Sequence, residues 1–210
     1  MSLEDYSRVG DDGVAHVGGG GKPIPAEGYQ PIRFDEGITM DTSPKNDAWC
    51  RISLPVVVCE GPDDGKGFIH QMTLTAGGKD ESFVKTANGD IVSFLVVLGM
   101  LDRFVAALKE DNVDVSEDLF LSADSSGNYT VFDRNKADAV CRKLKGMLPN
   151  AVIDADVMYK KEKGDFGTFN RPYIFNCAKY GSGKFKVKAP VATAAQTGGA
   201  AAATPEQRWG

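Results

Sequence analysis

A chain of 210 residues with a formal net charge of -5 can hold one domain of about 150 residues with unstructured ends, and 42% apolar content beside 24 glycines fits a core diluted by flexible termini. The acidic balance excludes coating of duplex nucleic acid through bulk positive charge, so any nucleic-acid contact must come from a local patch. Four cysteines (Cys50, Cys59, Cys141, Cys177) form no C-x-x-C pair and have no histidine at zinc-ligand spacing. There is also no cleavable leader and no apolar run of about 18 residues, so the expectation is free thiols, no metal, no membrane span and a cytoplasmic location in a bacterial or phage-infected cell.

Residues 1–23, with Gly18 to Gly21, lack any sustained period and read as a flexible glycine-rich segment. The run before Lys22 is no phosphate-binding loop, since His16 stands where that motif needs glycine and Pro23 where it needs Ser or Thr. Order is expected from Ile24, with a first strand over residues 29–40 and turn residues after it. In residues 49–59, Cys50, Ile52, Leu54, Val56 and Val58 share one apolar face while Trp49, Arg51 and Ser53 point the other way. Pro55 places that half of the strand at an edge or bulge. A third strand over residues 67–75 puts Phe68, His70, Met72 and Leu74 on one face. His70 on an apolar face reads as a hydrogen-bonded core residue before it reads as a catalyst.

Asn88-Gly89-Asp90 reads as a turn, followed by a helix over most of residues 91–109 with Gly99 as its weak point; a strand over residues 91–97 is the alternative. Residues 122–128 are turn sequence. They resemble a calcium loop, but Tyr129 and Asn135 occupy the positions of its required Gly and Glu. Residues 129–132 read as a short strand, and Asp133 as the N-cap of a helix with Ala137, Val140, Cys141, Leu144 and Leu148 on one stripe before Pro149.

Residues 151–180 read as a hairpin, with arms over 151–161 and 173–180 and a flexible connection over 162–172 that contains Gly164, Gly167 and Asn170. Between Asp156 and Lys188 stand eight Lys or Arg against three acids, a local excess of five in an acidic chain. Aromatic side chains interleaved with cations suit single-stranded nucleic acid, because every base offers a π-face and every linkage a negative charge. The other reading makes the aromatics core residues and the lysines a solvated face. The candidate binding residues are Trp49, Arg51, Lys160, Lys161, Phe166, Phe169, Arg171, Tyr173, Lys179 and Tyr180, with Arg171, Tyr173 and Lys179 sharing a parity on the last strand. Asp165-Phe166-Gly167 matches a kinase triplet without the rest of that signature, and no nucleophile, histidine and acid stand in a known catalytic pattern, so no enzyme is expected. Residues 189–210, rich in Ala, Gly and Pro, read as a disordered tail with Trp209 near its end.

Five strands with a helical segment between the third and fourth is the order of the OB-fold, a five-stranded Greek-key barrel. The run Ile24-Pro25-Ala26-Glu27-Gly28-Tyr29, a polar gap, an apolar second strand, Gly61 to Gly67, a third strand, a helix and a late Tyr/Lys-rich hairpin resembles bacteriophage single-stranded DNA-binding proteins of the OB-fold type, over residues 24–188. The resemblance implies a mainly β fold with α insertions, sequence-tolerant binding of single-stranded DNA in replication or recombination, cooperation with replication or recombination proteins, and no cofactor. The chain departs from bacterial-type relatives in ending Arg208-Trp209-Gly210 without an acidic tip, which puts partner recruitment by that route in doubt. The competing expectation is a β-rich protein-interaction or phage structural module without nucleic-acid binding.

Overall fold

The computed structural model describes residues 2–17, 24–43, 46–60, 64–76, 80–164 and 167–185. It is mainly β, with strands β1 (Val14–His16), β2 (Ile24–Phe34), β3 (Thr39–Ser43), β4 (Asn46–Val58), β5 (Gly67–Ala76), β6 (Leu121–Ala123), β7 (Tyr129–Phe132), β8 (Val152–Gly164) and β9 (Gly167–Lys179). Helices α1 (Asp80–Val97), α2 (Leu101–Glu110) and α3 (Arg134–Met147) all fall between β5 and β8. One antiparallel sheet of seven strands runs β1-β9-β8-β2-β4-β3, with β5 also paired to β4; β6 and β7 form a separate hairpin. β4 is long enough to pair with β3 over its first half and with β2 over Val56 to Val58, while β5 runs along its other edge.

The period-two pattern of β4 buries Cys50, Ile52, Leu54, Val56 and Val58, each at most 3% exposed, and β5 adds His70, Met72 and Leu74 to the same interior. Filling it from the other side, α1 contributes Val84, Ile91, Val92, Phe94 and Leu95, buried on most sides. Each such aliphatic side chain contributes about 1.5–3 kcal/mol on burial. β5 and β9, which are not neighbours in the sheet, come into contact without a backbone ladder among the described residues. The seam is spanned by a side chain instead: the Ile174 amide of β9 donates to His70 Nδ1 at 3.3 Å.

Several expectations are corrected. The first strand ends at Phe34, because Gly37 (φ +89°) turns the chain into the separate strand β3. Asn88-Gly89-Asp90 lies inside α1, where tertiary partners override its turn chemistry. Asn88 Nδ2 donates to Asp118 Oδ2 at 2.6 Å, Asp90 Oδ1 accepts from Arg8 Nη1 at 2.8 Å, and a side chain at Gly89 would overlap the Arg8 guanidinium. The expected single helix is two, bent by 115° at the weak point. Gly99 (φ +67°) donates to the Val96 carbonyl and Met100 to that of Leu95, the paired bonds of a left-handed helix C-cap.

The flexible connection in the last hairpin is also not what forms. β8 and β9 pair through to Gly164 and Gly167, so only Asp165 and Phe166 separate them, and Phe166 lies outside the described residues. Of the N-terminal segment expected to be flexible, residues 2–17 are packed. Leu3, Ala15 and Val17 are buried, Tyr6 Oη donates to Asp118 Oδ2 at 2.9 Å, and β1 adds to the edge of β9. Periodicity could not signal this, since the order comes from long-range partners. The expected tail, residues 189–210, lies outside the described residues. As the sequence predicts, Asp133 caps α3, accepting from the Asn135 and Lys136 amides.

Candidate functional site

On the face of β3, β4 and β5 turned away from the core, polar side chains satisfy one another. The register sets two rows: Asp41, Arg51 and Thr73 in one, Thr39, Ser53 and Gln71 in the next. Asp41 is the hub. Its Oδ2 accepts from Arg51 Nε at 3.0 Å and Ser53 Oγ at 2.7 Å, and its Oδ1 from Thr39 Oγ1 at 2.9 Å. Partial burial pulls the Asp41 carboxyl upward, but the bonds from Ser53, Thr39 and Arg51 together outweigh it and hold the group below the usual carboxylate range. Arg51 Nη1 donates to Gln71 Oε1 at 3.0 Å, and its guanidinium carbon sits 4.9 Å from the centre of the Trp49 ring. Trp49 and Arg51 therefore share a face, as their spacing predicts.

On the far side of β5 lies β9. Residues flanking the inward His70, Ile69 (47% exposed) and Gln71, face outward, and so does Tyr173 beside the inward Ile174. Tyr173 pairs with Met158 on β8, with its hydroxyl 4.0 Å from the Met158 sulfur, and meets Phe175 edge-on at 6.4 Å between ring centres. Burial, then the charge of Asp156, raises the Tyr173 phenol above its ordinary range. In the β8–β9 register the backbone of Arg171 pairs with that of Lys160. Lys161, opposite Asn170, is exposed on the other face of the hairpin. The side chains of Lys160 and Phe169 lie outside the described residues; their backbones belong to β8 and β9.

Lys179 does not share the face of Arg171 and Tyr173, contrary to the parity expectation. Asp156 pairs with Asn176 but Val157 with Ile174, so an extra residue bulges from β9 and inverts the alternation beyond it. Lys179 consequently pairs with the inward Ile153. Tyr180 is removed from the cluster as well: its hydroxyl donates to Glu60 Oε1 at 2.5 Å, near the place where Phe185 stacks on Tyr29 at 5.2 Å. Sequence reasoning missed Thr39, Asp41 and Gln71, which only the strand register brings to Arg51, and Met158 and Phe175, which the β8–β9 register and its bulge bring beside Tyr173.

In comparisons with known proteins, no family model matches the chain and no curated protein matches it. Among the described residues, no group of His, Cys, Asp and Glu is arranged to hold a metal ion, and no single helix is long and apolar enough to cross a membrane.

Proposed function

We propose that this protein binds single-stranded DNA with little sequence preference and more tightly than duplex, serving replication or recombination in a phage or bacterial setting alongside other proteins of those processes. The observation that carries the reading is an outward face on which aromatic and cationic groups recur: Trp49 and Arg51 on β4, and Tyr173, Phe175 and Arg171 on β9, at the root of a hairpin that also bears Lys160, Lys161 and Lys163. Stacking on such groups requires unpaired bases, and the lysines supply charge for the phosphates.

The strand path supports the finer reading of the fold. The order β5-β4-β2-β8-β9, with the helices between β5 and β8, corresponds to the five strands of an OB-fold, with β1 and β3 as edge additions and the β5–β9 seam left to the His70 side chain. In that fold oligonucleotides lie across the second and third strands and the adjoining loops, here β4, β5 and the β8–β9 hairpin.

The test is a titration of fluorescent oligonucleotides, single-stranded and duplex side by side, from about 50 mM salt upward. The expected result is preferential single-strand binding that weakens with salt and quenches Trp49 fluorescence. Absence of binding at the lowest salt, or equal affinity for both forms, refutes the proposal and leaves a protein partner for this surface.

A further inference from the structure

The chemistry of Arg51 differs from that of the hairpin lysines. Lys161 and Lys163 are exposed, whereas the Arg51 guanidinium spends its Nε and one Nη1 donor on neighbouring side chains. Its Nε bond to Asp41 occupies one of the two edges with which a guanidinium grips a phosphate through paired bonds, and Nη1 is engaged by Gln71. The ion pair is half-shielded, with side-chain exposures of 31% for Arg51 and 33% for Asp41. Asp41 is itself held ionised by three donors, so the two charges cancel locally and a phosphate approaching the Nε edge meets a carboxylate. The Nη2 donors stay open beside this neutralised pair, and the plane of the group, fixed against the Trp49 ring with its centre 4.9 Å away, is the surface it offers to the face of a base.

We infer that Trp49 and Arg51 form a step that receives the face of an unpaired base and makes no phosphate contact, with Asp41 and Gln71 as positioning residues that hold the guanidinium flat. The inference rests on the single-strand binding proposed above and divides the labour within that site: the backbone charge is met at the hairpin, the base at β4. A planar, weakly hydrated guanidinium suits this task, and a lysine in its place does not, because an ammonium has no plane to stack. The polar neighbours Thr39, Ser53 and Gln71 spend their hydrogen bonds on Asp41, Arg51 and one another, which agrees with tolerance of any base.

The experiment compares the wild-type chain with Arg51→Gln and Arg51→Lys, each checked for an unchanged melting temperature. The probes are a labelled oligothymidylate and an abasic deoxyribose-phosphate strand of equal length, titrated over a range of salt. Both variants are expected to lose about tenfold in affinity for oligothymidylate, equivalent to about 1.4 kcal/mol, and to bind the abasic strand like the wild type. The slope of log K against log salt should not change. A slope shallower by about 0.7 in Arg51→Gln, the signature of one lost phosphate contact on a single strand, overturns the inference, as does an equal loss on the abasic strand or wild-type affinity in Arg51→Lys. Failure of the wild type to bind oligothymidylate is a separate result: it removes the single-strand reading itself and this step with it.

Discussion

Replacing His70 by leucine tests how the sheet is held where β5 meets β9. His70 is 2% exposed, its Nδ1 accepts from the Ile174 amide at 3.3 Å, and its Nε2 lies 3.7 Å from Asp90 Oδ2. Leucine leaves the buried amide without an acceptor, which costs about 1–3 kcal/mol. It also removes the edge-on contact between His70 and Phe94, whose ring centres lie 5.6 Å apart at 82°, a further loss of about 0.5–1.5 kcal/mol. The expected total, about 1.5–4.5 kcal/mol, should lower the urea midpoint by about 0.8–2.2 M for a slope near 2 kcal/mol/M. Asparagine restores an acceptor near the Nδ1 position but no ring, and should recover part of the loss. Amide exchange read at Ile174 separates seam opening from general destabilisation: protection there should fall in His70→Leu and return in His70→Asn. A leucine variant within about 0.5 kcal/mol of the wild type, with Ile174 still protected, would show that packing alone holds the seam.

Four further outcomes are expected. Arg8→Ala strips the buried Asp90 (3% side-chain exposure) of its ion-pair partner and should cost about 3–5 kcal/mol by denaturant titration. Gly89→Ala should destabilise too, despite alanine's better helix propensity, because its methyl group displaces the same guanidinium; a gain in stability would refute this. The Ser122 hydroxyl, against an opposing effect of burial, and the Lys136 and Asn135 amides hold the Asp133 carboxyl below its ordinary value, so its contribution is complete above about pH 4 and is lost as pH falls through the lower folded value. Asp133→Asn keeps a capping residue and should flatten the fall in melting temperature below that pH; an unchanged acid limb counts against it. Burial raises all four thiols, Cys50 up to about 11, but Cys59 is half-buried where the other three are buried, so brief alkylation of the native protein near pH 8, followed by mass mapping, should label Cys59 first by access.

What the sequence made legible was local. Alternation on β4 and β5 marked their buried faces, and the Asp133 cap with the stripe from Ala137 to Leu148 marked α3, because in each case the pattern and the final packing agree. The failures share a cause in long-range pairing. Asn88, Gly89 and Asp90 carry turn chemistry in isolation, yet Asp118 and Arg8 give each a reason to be helical. The bulge near Phe175 leaves no compositional mark, but it reversed the placement of Lys179. Arg51 was legible as an outward cation beside Trp49, whereas its neutralisation by Asp41 depends on β3 being a strand of its own, which Gly37 decides.

The division between the two faces of the sheet bears on what the outer one is for. On the inner face α1 supplies the apolar surface that β4, β5 and β9 require, and the core closes there. The outer face needs no partner for stability, since Asp41, Arg51, Ser53, Thr39 and Gln71 satisfy one another across three strands. A face maintained only for solubility would continue that polar pattern over the seam. Instead Trp49, Ile69, Tyr173 and Phe175 keep apolar surface at least partly open along the path from β4 to β9, where burying it would contribute to binding and leaving it uncovered contributes nothing to folding. Aromatic surface retained near the lysines of the hairpin, with the Arg51 charge balanced by Asp41, is the arrangement a strand with alternating bases and phosphates would exploit.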